Sequence, residues 1–117
     1  MIEIQVSMGE LIDKLTILEI KLDKGLPVQT EFEILNEAYI PDFKIEYLKN
    51  ILKSINAQLW EIEDEKRLCE KTKSFTPDFV VLSRLVYMLN DERARIKKLI
   101  DKISDSKITE YKSHHEY

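Results

Sequence analysis

Two apolar seams in the second half of the chain constrain its fold more than any other feature. From Leu48, apolar residues return at Leu52, Ile55, Leu59, Ile62 and Cys69, alternately four and three apart and broken only at Lys66. Leu82, Leu85, Leu89, Ile96, Leu99 and Ile103 follow the same rule, interrupted at Glu92. That period keeps one stripe of a helix facing one partner. The link between the runs is short. Thr76 suits an N-cap whose hydroxyl accepts from a free backbone N–H, Pro77 suits the first helical position, and Asp78 suits the positive helix end. So short a link makes the helices, 42–71 and 77–103, antiparallel neighbours.

The earlier residues add shorter elements. Ile2, Ile4 and Val6 alternate with Glu3 and Gln5, the period of a strand or extended arm over 1–6. Ser7 and Glu10 have capping-box spacing and open a helix over 7–24 that stops at Gly25, with Pro27 beyond. Its Leu11, Leu15, Leu18 and Leu22 share a face, while Ile12, Ile17 and Ile20 lie outside it. Apolar groups on several sides of a short helix call for more than one neighbour, and a homodimer or higher oligomer is the simplest source. Thr30 and Glu33 have capping-box spacing before a short helix over 31–38. The tail, 104–117, reads as an extended or frayed segment. The fold class is therefore an all-α antiparallel bundle of one domain, built on a long helical hairpin with a short N-terminal arm.

Composition narrows the function classes. A net charge of −4 argues against broad nucleic-acid binding, which depends on many Lys and Arg contacts to phosphate. No apolar run approaches the roughly 20 residues that span a bilayer. The N-terminus lacks the basic and apolar segments of a secretion signal. Cys69 is the one cysteine; it falls in the seam and reads as a small buried hydrophobe, in a chain suited to a reducing cytoplasm. No glycine-rich phosphate loop, His-Glu-x-x-His or cysteine cluster is present. His114 and His115 are adjacent and face different ways. No catalytic, metal or cofactor residue is assigned.

Beside each seam runs a mixed polar stripe. On the first long helix Lys49, Asn56, Trp60, Glu63 and Arg67 fall within about 40° of one line at 100° per residue. On the second, Arg84, Tyr87, Asp91, Arg95 and Lys98 fall within roughly 80°. Glu10, Lys14 and Lys21 form a third on the opening helix. As plain solvated faces they hold only intrahelical pairs such as Asp91–Arg95, worth about 0.2–0.5 kcal/mol. As a converging pocket they suit a small anionic, ring-bearing ligand. Trp60 and Tyr87 would stack the ring. Lys14, Arg67, Arg84, Arg95 and Lys98 would neutralise phosphate, arginine by paired bonds. Asn56, Glu63 and Asp91 would bond to ribose or orient the cations.

The opening run Ile4 to Lys21, together with Leu59-Trp60-Glu61-Ile62-Glu63-Asp64, Tyr87 to Ala94 and Glu110-Tyr111-Lys112-Ser113, resembles a small uncharacterised protein family. That family occurs in bacteria, in some cases near polysaccharide genes, and in tailed phages. The resemblance covers the chain outside 25–45 and brings no established activity. It singles out Asp13, Lys14, Glu19, Trp60, Asp64, Asn90, Asp91 and Arg93. Phage membership adds an analogy of size and pocket character: small oligomeric phage proteins sequester cyclic-nucleotide or ADP-ribose-type immune signals without cleaving them. The leading expectation is thus a non-enzymatic oligomer that captures a phosphorylated, nucleotide-like molecule in the cytoplasm. The rivals are a protein-interaction or assembly module, and a small helical enzyme reminiscent of chorismate mutases.

Overall fold

The computed structural model describes residues 1–104. Four helices follow in order: α1 Met8–Asp23, α2 Gln29–Asn36, α3 Phe43–Thr72 and α4 Pro77–Ile103. The described residues contain no strand, and the all-α architecture agrees with the seam reading. Residues 1–6 carry no regular structure, and Ile2 and Ile4 are exposed. A period of two makes a strand only where a partner strand is at hand. The tail expectations lie outside the described residues, apart from Ser104, which is the C-cap of α4.

The helix ends follow local chemistry. Ser7 caps α1, its Oγ accepting from Glu10 N at 3.1 Å. The helix closes with Gly25 N donating to Leu22 O and Leu26 N to Lys21 O. That double bond pattern needs a left-handed residue, and Gly25 provides it at φ 79°. Asp42 caps α3 by accepting from Lys44 N and Ile45 N. The same left-handed closure ends α3, but there the residue is Lys73, at φ 54°. Two caps depart from expectation. Thr76 precedes α4, with Pro77 in its first turn, yet its hydroxyl makes no cap bond; its carbonyl takes Phe79 N instead. The Thr30–Glu33 box does not form, because α2 starts earlier, with Phe32 N donating to Val28 O, and Thr30 is already helical.

One core joins all four helices. Leu11, Ile12 and Leu15 of α1 meet Ile45, Leu48, Leu52, Ile55 and Leu59 of α3, and Ile96 and Ile100 of α4, with Phe32 and Leu35 of α2 against them. Tyr39 closes the α2–α3 link; its hydroxyl donates to Glu46 Oε1 at 2.7 Å, and burial with that carboxylate pushes its pKa up to about 12.

Two expectations about packing change. The several neighbours that α1 requires are α2, α3 and α4 of its own chain, so its apolar sides no longer argue for a dimer. The seam of α4 is turned from its expected line: Ile96 and Ile100 are buried, whereas Leu85 and Ile103 are substantially exposed. The reason is that α4 packs on α1 as well as α3, which rotates the buried face toward Arg93, Lys97 and Asp101. Cys69 is only half-buried.

Candidate functional site

Where α1, α3 and α4 meet, the interface is polar. Asp13, 2% exposed, sits among Leu11, Ile12 and Leu15. Arg93 of α4 grips it with both faces of the fork: Nε donates to Oδ1 at 2.9 Å and Nη2 donates to Oδ2. Asn56 of α3 donates one amide nitrogen to Asp13 Oδ1 and to Thr16 Oγ1, each at 2.9 Å. Thr16 in turn donates to the Asp13 carbonyl at 2.7 Å. Lys97 Nζ lies 3.8 Å from Asp13 Oδ2 and donates to Glu10 Oε2 at 2.8 Å. Burial pushes the Asp13 carboxyl up, but Arg93, Asn56 and Lys97 outweigh it and hold the pKa below its ordinary 3.8. A buried carboxylate stays charged only when its partners replace the lost water this fully.

A second polar clamp lies one turn away. Gly9 N, at the positive start of α1, donates to Asp101 Oδ1 at 2.6 Å. The helices approach so closely that a Cβ on Gly9 would overlap the Lys97 carbonyl oxygen and stand 2.8 Å from Asp101 Oδ1. Glycine is needed here for space.

Beside the Asp13 layer opens a cleft of about 250 Å³. Ile17, Ile20 and Leu59 form its floor; Asn56, Trp60, Glu63, Asp64 and Arg67 of α3 and Arg93 of α4 form its walls. The α3 residues reach it because 56, 60, 63 and 67 repeat at helical spacing, the stripe beside the seam. Trp60 is half-buried. Lys24 Nζ lies 5.3 Å from its ring centroid and 3.1 Å from Glu61 Oε1.

Of the ten residues singled out for a ligand, Asn56, Trp60, Glu63 and Arg67 share this cleft. The other six do not line it. Lys14, Arg84, Tyr87 and Arg95 are exposed, and Asp91 and Lys98 are half-buried elsewhere on α4. The cause is rotation: once Ile96 and Ile100 enter the core, Arg93 points inward, and Arg95, two residues or about 200° on, points outward. Arg95 pairs with Glu92: its Nη2 donates to Glu92 Oε2 at 2.9 Å, a contact that lowers the Glu92 pKa and raises that of Arg95.

The ligand reading of the polar stripes passed over Arg93, Asp64 and the buried Lys97 and Asp101. Arg93, Lys97 and Asp101 stand four apart beside Ile96 and Ile100, and that placement is a signal of charge at the edge of a core. Four positions marked by the family resemblance gather here: Asp13 behind the cleft, and Trp60, Asp64 and Arg93 on its walls. Glu19, also marked, stands 3.1 Å from Lys49 and 3.4 Å from Lys53.

A model of the family of unknown function DUF6165 matches residues 2–116. The chain belongs to that family. The DUF6165 match includes residues 25–45, which the motif resemblance left out. Comparison with curated proteins and with solved structures finds no match. Among the described residues of this DUF6165 chain, no helix is long and apolar enough to cross a membrane.

Proposed function

We propose that the protein is a non-enzymatic binder of a small, ring-bearing molecule with one anionic group, of nucleoside-monophosphate type. One observation carries the reading: Trp60, Asn56, Arg67 and Arg93 border one apolar-floored cleft. The ring lies along Trp60 over Ile17, Ile20 and Leu59, and the Arg67 guanidinium holds the anion. Asn56 and Glu63 address polar edges of the ligand. Arg93 is already committed to Asp13, so it serves as a rigid wall more than as a new anion partner.

The charge balance favours one anionic group over several. Arg67 and Arg93 stand against Glu63 and Asp64, with Asp13 behind. A cyclic dinucleotide or a diphosphate would bring a second charge toward those carboxylates, which repel it. The volume also lies below the usual 300–1,000 Å³ of drug-sized sites. The walls offer no Ser, Cys or His nucleophile, which favours capture over turnover. Of the immune signals named above, a cyclic mononucleotide carries a single phosphate, and its sequestration is the biological form this proposal takes.

Isothermal titration of the full chain with AMP, GMP, adenosine, ADP-ribose and cyclic dinucleotides tests it. Nucleoside monophosphates are expected to bind best, and Trp60→Ala and Arg67→Glu to weaken them at least tenfold. Arg84→Glu, outside the cleft, is expected to change nothing. No heat and no thermal shift across the panel at millimolar ligand would end the proposal.

A further inference from the structure

α4 presents a second apolar line, on the side of the hairpin away from α1. On α4, Val81, Leu85, Met88, Leu99 and Ile103 fall within about 60° of one another at 100° per residue. That line centres about 150° from Arg93, Lys97 and Asp101, the residues that meet α1. Val81 and Met88 are 55% and 57% exposed, and Ile103 is 46% exposed. On α3, Tyr47 lies opposite Asn56, which meets α1. Tyr47 is 68% exposed. Among the described residues, the helix that would complete a four-helix bundle on this side is missing.

We infer that a second copy of the chain occupies this face, hairpin against hairpin, in a two-fold antiparallel four-helix bundle. Two features favour a copy of the same chain. First, the α4 line is nearly symmetric about its middle: apolar residues at both ends flank Glu92 and Arg95. Antiparallel two-fold pairing sets a surface against itself reversed, so this order is self-complementary. Second, the two central charges are opposite. A two-fold axis between them brings Glu92 of one copy against Arg95 of the other, with Met88 level with Leu99 and Leu85 beside Ile103. The existing Glu92–Arg95 pair within each helix becomes part of a four-charge ring. The proposal is independent of the cleft, which opens on the α1 side.

Sedimentation equilibrium of the full chain provides the test. The expected mass is that of two 13.9 kDa chains. Met88→Glu is expected to weaken the dimer at least tenfold without loss of helical circular dichroism, because the residue is outside the core. Glu92→Arg and Arg95→Glu should each weaken it, and the double exchange should restore it. That rescue would not follow from a surface effect alone. A full chain that sediments as one copy at about 100 µM overturns the proposal. If deleting residues 105–117 then produces a dimer, the tail is the occupant instead. A dimer indifferent to Met88→Glu and to the charge exchange overturns it equally.

Discussion

At the end of the hairpin that α1 covers, charge is taken inside: Asp13, Lys97 and Asp101 are buried, each with a partner from another helix. At the end closed by Lys73, no residue of α3 beyond Leu59 and none of α4 before Ile96 is buried. There the ion pairs are local and wet, such as Lys73–Glu70 at 2.8 Å. The same kinds of side chain therefore do different work. Where a third helix excludes water, a carboxylate fixes how the helices meet. Where two helices stand alone, it decorates a surface.

This contrast is sharpest for Asp13. Removing Arg93 leaves a buried carboxylate without its main partner, so Arg93→Met is expected to cost about 3–5 kcal/mol in urea unfolding. A loss below about 1 kcal/mol would mean that the two ends differ far less than their burial implies. Next in size, Gly9→Ala is expected to cost about 2–3 kcal/mol, because its methyl must push α1 off the Lys97 carbonyl. Gly25→Ala would act differently, through its left-handed φ, with open space around it.

At the covered end, acid acts through Asp13. The Asp13 pKa is lowered on folding, so its stabilisation is full above the ordinary carboxylate range. It is lost as pH falls from 3.8 through the lower folded value. Asp13→Asn is expected to flatten that part of the stability–pH curve, and an unchanged curve would remove Asp13 from the account. At the bare end, Lys73→Gly is expected to add about 1 kcal/mol, since a left-handed residue with a Cβ is strained there. Smallest of all, Glu70→Gln should shift stability by only a few tenths of a kcal/mol.

Much of the fold could be read from local chemistry. Ser7, Gly25, Pro77 and the α3 seam act through neighbours in sequence, and they lie where their spacing predicts. The setting of α4 about its own axis could not be read this way. Two apolar lines run along it, one through Leu89 and Ile96, one through Val81, Leu85, Met88 and Leu99. Periodicity cannot choose between them, because the choice depends on where α1 packs. That choice also decides whether Arg93 or Arg95 faces the interior, and with it which stripe borders the cleft. Asp13 escaped the ligand reading of the stripes for a related reason. Its partners stand 43 and 80 positions away, beyond any rule of spacing.

The Gly9–Asp101 clamp ties the first helix to the last residues of the fourth across 92 positions. During synthesis α1 leaves the ribosome first, yet its companions on α4 are made last. Its leucines and isoleucines must then wait in water, or in the hold of a chaperone, until α4 has emerged. Bundle assembly waits for α4, and codon changes that slow its synthesis should lengthen the interval in which the nascent protein can stick to others.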